Sequence, residues 1–195
     1  IIKRYPRSRS AIMPLLHYAQ SKAGYVTNEG IELIAKLLTI ETAEVSAVAT
    51  FYTQYKRKPV GEYHVGVCTN TLCAVMGGDA IFAGLKEHLG IENDGVTADG
   101  KVSLEHIECN AACDYAPVVM ANWEFYDNQT VQSSKDLVDS MRQGNPTPPT
   151  RGPKSLPTWK ENSAVLAGIN DGRANEGVQA GEPTLLGLKL AKEGK

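Results

Sequence analysis

Tyr63-His64-Val65-Gly66-Val67-Cys68-Thr69-Asn70-Thr71-Leu72-Cys73, followed by Gly77-Gly78, is the stretch on which the reading of this 195-residue chain turns. Tyr63 to Val67 predicts a strand that runs straight into Cys68, being rich in residues that favour a pleated, buried surface. A second run, Val102 to Glu108, alternates Val102, Leu104 and His106 against Ser103 and Glu105, and runs into Cys109 with Cys113 beyond it. Between them Ile81 to Leu89 predicts a helix. A strand–helix–strand order of this kind implies a crossover with the two strands parallel. Parallel strand ends lie side by side, so both cysteine pairs can face one small volume. The four cysteines therefore read as one site.

Working outward, Pro117 to Ala121 and Glu124 to Tyr126 flank Asn122-Trp123 as in a hairpin, and Lys135 to Arg142 predicts a closing helix. The order strand–helix–strand–strand–strand–helix over residues 59–144 suits an α/β layer with a thioredoxin-like sheet. Residues 1–58 carry one pattern three times: Ile12, Leu15, Leu16, Ala19; Ile31, Ile34, Ala35, Leu38; and Val45, Val48, Ala49, Tyr52. Each set puts an apolar stripe on one helix face, predicting a three-helix unit. Ser8 or Ser10, Thr27 and Thr42 stand at expected N-caps, and Gly24 at an expected helix end. Lys56-Arg57-Lys58-Pro59 closes the unit. Residues 145–195 hold six of the ten prolines, seven glycines and Trp159 as their only aromatic. Such a segment reads either as a disordered tail or as an extended arm that orders along a partner through Trp159, Leu166 and Leu185-Leu186.

The net charge of −2 conceals an uneven distribution. Residues 1–60 have nine Lys/Arg against four Asp/Glu, residues 61–144 four against thirteen, and residues 145–195 seven against five. All four cysteines lie in the acidic middle. With 42% hydrophobic and 22% charged residues the chain is expected to be a soluble globule. No apolar run approaches the ~20 residues of a membrane-spanning helix, so no direct membrane insertion is expected. The chain opens on Ile1 rather than Met, and targeting is not read from this end.

Three occupants of the cysteine site compete. Disulfides are disfavoured because nothing marks the chain as secreted. Structural zinc favours tight C-x₂₋₄-C knuckles, and the C-x₄-C of Cys68 and Cys73 sits at the edge of that range. An iron–sulfur cluster needs two thiolates per iron, and the longer loop can wrap it while aiming N–H groups at sulfur. Spacing puts the cluster ahead of zinc without excluding it.

The surroundings add more. Val65-Gly66-Val67-Cys68 with its following loop, Glu108-Cys109-Asn110-Ala111-Ala112-Cys113 leading to Ala116-Pro117, and Ala49-Thr50-Phe51-Tyr52 strongly resemble one family. It comprises the thioredoxin-like [2Fe–2S] ferredoxin subunits of proton-pumping NADH:quinone oxidoreductase, respiratory complex I, called E subunits in bacteria. Relatives of the same type serve NAD-dependent hydrogenases and formate dehydrogenases. The resemblance spans about residues 4–143. It implies that Cys68, Cys73, Cys109 and Cys113 ligate one [2Fe–2S] cluster near the FMN of a partner subunit that oxidises NADH. It further implies contact with the large iron–sulfur subunit of that module, at the cytoplasmic side of the bacterial inner membrane or the mitochondrial matrix side. The family commonly has Gly where this chain has Ala111, and a positive φ there would cost Ala about 1 kcal/mol.

Other signals carry less. His17, His64, His88 and His106 read as structural, since four cysteines already fill a ligand shell. Gly77-Gly78 with Gly84 and Lys86 matches no phosphate-loop spacing, so no NADH or flavin site is expected in this chain. Lys3, Arg4, Arg7 and Arg9 lack interleaved aromatics and read as a solvated or protein-facing patch, with no nucleic acid implied.

Overall fold

The computed structural model describes residues 1–194. The chain divides into two units, each made of two separate stretches: Ile1–Glu62 with Pro157–Gly172, and Tyr63–Leu156 with the segment from Arg173 onward.

The first unit is helical. α1 (Ile12–Ala23), α2 (Asn28–Leu38) and α3 (Thr42–Phe51) are the three expected helices. Ile12, Leu15 and Leu16, all four residues of the α2 stripe, and Val45 with Ala49 are buried in one core. Tyr52 departs from its expected place: α3 ends at Phe51, the backbone turns extended at Tyr52, and its ring is left exposed. Tyr55 enters the core instead and donates its hydroxyl to the Met13 carbonyl at 3.1 Å. Thr27 caps α2 as expected, accepting from the Gly30 N–H at 3.0 Å, and Gly24 ends α1. Two expected caps are displaced. Ser8 and Ser10 lie in a 3₁₀ turn ahead of α1, and Glu41 rather than Thr42 caps α3, forming a reciprocal box with Glu44. Of the N-terminal cations, Arg4 donates to the Ala167 carbonyl and Arg9 pairs with Glu44.

A fourth helix, α7 (Trp159–Leu166), joins this unit from the C-terminal region. Thr158 caps it in a box with Glu161, although the surrounding composition favours loops. Trp159 is buried by its own chain: its indole N–H donates to the Gly24 carbonyl at 2.7 Å and its backbone N–H to the Glu62 carbonyl at 2.8 Å. Gln20, wholly buried on α1, donates to the Gln54 carbonyl and the Ser163 hydroxyl and accepts from the Lys56 N–H. A buried amide satisfied this fully fixes how α1, α7 and the 54–56 segment meet.

The second unit is built on a sheet of order β2-β3-β1-β4-β5: β1 (Tyr63–Cys68), β2 (Gly95–Val96), β3 (Val102–Ile107), β4 (Val119–Ala121) and β5 (Glu124–Tyr126). β1 and β3 are parallel, with Val65 opposite Leu104 and Cys68 opposite Ile107, as the crossover reading requires. β4 pairs antiparallel with β1, and β4–β5 is the expected hairpin. Both central residues of its turn, Asn122 and Trp123, have positive φ, the two-residue geometry that matches strand twist. The Asn122 side chain accepts the His64 N–H at 2.7 Å, so the turn is tied to β1 as well.

One sheet face packs on α5 (Gly78–Leu89) and α6 (Val131–Arg142) through Val65, Val67, Leu104, Ile81, Leu85, Leu137, Val138 and Met141. The opposite face carries Cys68, Ile107 and Met120 together with Cys73, Ala112 and Val118. Because both faces are covered, β1 is buried along its whole length and Ser103 is buried too, bonded to the His64 ring at 2.9 Å. The other histidine nitrogen meets Glu105 at 2.8 Å, and His88 pairs with Asp139. Residues 145 onward carry α7 and α8 (Glu182–Lys192) rather than running extended throughout.

Replacing Trp159 by Ala should destabilise the isolated chain by ~3–5 kcal/mol in chemical denaturation, since a large buried ring and a buried hydrogen bond vanish together. A loss below ~1 kcal/mol would instead mark Trp159 as a residue awaiting a partner.

Candidate metal centre

Cys68 is the last residue of β1, and the helix after it is only one turn long. α4 (Thr71–Val75) places Cys73 on its inner side, where it is buried with Cys68. This short helix is absent from the sequence reading; five residues cannot display a helical period. Asn70 precedes it but spends its side chain elsewhere, donating to Glu108 at 2.8 Å and so tying the two cysteine loops together.

Gly78 closes the first loop. A Cβ there would stand 2.5 Å from the Cys68 carbonyl oxygen and 2.9 Å from that of Cys73, so only glycine lets α5 start against both. Gly77, just before it, has φ +110° and turns the chain into α5.

Cys109 lies two residues past the end of β3, and Cys113 opens a 3₁₀ turn, Cys113–Tyr115. Their sulfur atoms lie 3.8 Å apart, both exposed. Ala111 between them has φ +55°, and its N–H points at the Cys109 sulfur at 3.4 Å. The position does demand a left-handed backbone, the condition under which an alanine is strained. The cis peptide Ala116-Pro117 follows directly.

All four thiols interact. Burial pushes the Cys73 thiol up to about 11, and the neighbouring Cys68 and Cys113 add to the rise against a bond that lowers it. Cys109, first by hydrogen bonding and then by charge, raises Cys113, with smaller contributions from burial, Cys68 and the adjacent Asp114. Four sulfurs this close repel one another as anions, and a cationic centre is what reverses that repulsion. They come as two pairs, one buried and one exposed. Among the described residues no group of three or more His, Cys, Asp or Glu is arranged around a single metal ion. The donor set of paired thiols with an N–H aimed at sulfur fits an iron–sulfur cluster.

Residues 1–142 match the family model for thioredoxin-like [2Fe–2S] ferredoxins, and the chain belongs to that family. It is 59% identical over 194 residues to the E subunit of the NADH-quinone oxidoreductase of Mycobacterium tuberculosis, covering 99% of this chain and 77% of that one. The corresponding E subunit of Rickettsia bellii is 43% identical over 145 residues, covering 73% of this chain and 87% of the other. Among solved structures, a chain of an NAD⁺-reducing [NiFe]-hydrogenase in its H₂-reduced state superposes with a TM-score of 0.62 at 18% identity, over 70% of this chain and 23% of that one. That likeness is one of fold. The family resemblance read from the cysteine motifs, and the thioredoxin-like α/β fold, are thereby borne out.

Replacing Ala111 by Gly should stabilise the protein by about 0.5–1 kcal/mol, the relief of left-handed strain outweighing the extra freedom of the unfolded chain. Urea midpoints of the two proteins give the comparison.

Proposed function

We propose that this chain is the electron-transfer E subunit of an NADH:quinone oxidoreductase, with Cys68, Cys73, Cys109 and Cys113 holding one [2Fe–2S] cluster. The observation that carries this reading is the convergence of two cysteine pairs at the adjacent ends of parallel strands β1 and β3. Identity of 59% across nearly the whole chain to E subunits favours that assembly over the hydrogenase, whose likeness is confined to the fold. When bound, a cluster of this type takes up and returns one electron.

The protein's own part is to hold, bury and polarise. Cys68 and Cys73 fix the buried side of the site, Cys109 and Cys113 the exposed side. The Ala111 N–H at the Cys109 sulfur stabilises added negative charge there. The carboxylates of Glu108 and Asp114, beside ligands in a domain with thirteen acidic residues against four basic ones, oppose it. No acid, base or nucleophile is called for. NADH and FMN belong to the partner subunit in this reading, and the large iron–sulfur subunit is the second neighbour. Leu72, Val75 and Met76, exposed on and beside the helix that carries Cys73, suit coverage by the flavin-bearing partner. The complex would stand at the cytoplasmic side of the inner membrane, or the matrix side in mitochondria. No described helix is long and apolar enough to cross a membrane.

The purified protein should contain iron and acid-labile sulfide in equal amounts and show a paramagnetic signal after dithionite reduction. Serine in place of Cys68 or Cys109 should abolish or transform that signal. A zinc-containing protein without any signal would establish a scaffold role instead.

Glu108→Gln removes one negative charge beside Cys109 yet keeps an oxygen acceptor for Asn70. The midpoint potential in a redox titration should therefore rise, more at low than at high ionic strength. An unchanged potential would refute a role for the acidic surround in tuning the site.

A further inference from the structure

The family model stops at residue 142, whereas the match to the mycobacterial protein continues through nearly all of this chain. The additional segment returns to the cysteine site. Thr150 donates its N–H to the Phe125 carbonyl at 2.9 Å, and Arg151 bridges to Phe125 at the free edge of β5. One strand-width further out, the Gly152 N–H donates to the Val178 carbonyl at 2.9 Å and the Lys154 N–H to the Glu176 carboxylate at 3.2 Å. The chain then reaches the turn that contains Cys113. Gly181 lies against the Tyr115 ring so closely that a Cβ there would overlap the hydroxyl. Thr184, in the first turn of α8, donates its hydroxyl to the Asp114 carboxylate at 3.0 Å.

We infer that residues 176–184 form a strap that positions Cys113, with Thr184 as its positioning residue acting through Asp114, and Gly181 seating it on Tyr115. The proposal rests on the reading of Cys113 as a cluster ligand. A three-residue 3₁₀ turn is weak by itself: its own bonds are Tyr115 N–H to Ala112 at 3.0 Å and Ala116 N–H to Cys113 at 3.3 Å. Cys113 and Asp114 are exposed, so packing does not hold them either. Order must come from outside the turn. Tyr115 is gripped on two sides. The Arg151 guanidinium lies 5.0 Å from its ring centre and 3.9 Å from that of Phe125, while bonding both oxygens of Asp127 at 3.0 and 3.1 Å. Gly181 closes the other side and buries the hydroxyl, for which the described residues offer no hydrogen-bond partner. Thr184 then fixes the carboxylate next to Cys113, so a negative charge beside a ligand is held in one place.

Full-length protein and its Thr184→Ala, Thr184→Ser and Gly181→Ala variants test this by amide hydrogen exchange at Tyr115 and Ala116. Exchange should quicken about fivefold in Thr184→Ala, the effect of one lost hydrogen bond on local opening, and in Gly181→Ala as well. Thr184→Ser should restore the original rate. In cluster-loaded protein, Thr184→Ala should also alter the line shape of the reduced paramagnetic signal, and Thr184→Ser should restore it. Exchange at Tyr115 and Ala116 unchanged in both Thr184→Ala and Gly181→Ala overturns the strap. Because exchange is read in cluster-free protein too, a chain that carries no cluster refutes the proposed function while the strap is still decided on its own.

Discussion

Everything distinctive in this molecule depends on the parallel pairing of β1 with β3. Antiparallel strands would end at opposite edges of a sheet and set Cys68 far from Cys109. Parallel strands, in a register that puts Cys68 across from Ile107, end together. The crossover that such pairing requires accounts for the long stretch between the two cysteine pairs, and its helix α5 supplies the core beneath the sheet. The two faces are thus divided in labour. One is an apolar layer under α5 and α6; the other ends in sulfur. The backbone, not a compact sequence motif, brings the donors together.

The electrostatics of the site follow from that convergence. Burial first, and then the neighbouring Cys68 and Cys113, raises the cost of ionising Cys73, while Cys109 does the same to Cys113. The surrounding acidic residues add to the repulsion. A site of this kind is stable in its ionised form only with a positive centre inside it, and binding that centre is then coupled to deprotonation. The asymmetry of burial gives the two pairs different surroundings. Cys68 and Cys73 see protein, whereas Cys109 and Cys113 see solvent or a partner.

What the sequence disclosed, and what it did not, follows the range of the forces involved. The stripe Ile31, Ile34, Ala35, Leu38 is buried in full because a helix of eleven residues shows its period plainly. Tyr52 continues the next stripe on paper but falls beyond the end of α3, and Tyr55 takes the core position. The hairpin around Asn122-Trp123 was legible from turn chemistry, while β2, two residues long, and α4, five, have too little length for any pattern. The convergence of the cysteines could be read because it needs only strand order. The tie from Asn70 to Glu108 could not, since it joins residues of ordinary type across two loops. The surroundings of Trp159 were invisible for the same reason. A lone aromatic in a proline- and glycine-rich stretch reveals nothing of the Gly24 carbonyl that receives its N–H.

That last contact has a consequence for how the chain matures during synthesis. The helical unit takes its opening from residues 1–62 and its closing helix from residues 157–172. Its three leading helices leave the ribosome first, yet the carbonyl of Gly24 and the amide of Gln20 must wait for Trp159 and Ser163 to emerge. The whole stretch Tyr63–Leu156, with both cysteine loops, appears in the interval. A nascent chain therefore exposes both cysteine loops while the N-terminal helices still lack their final partner, and the order of translation separates emergence of the cysteines from completion of the helical core.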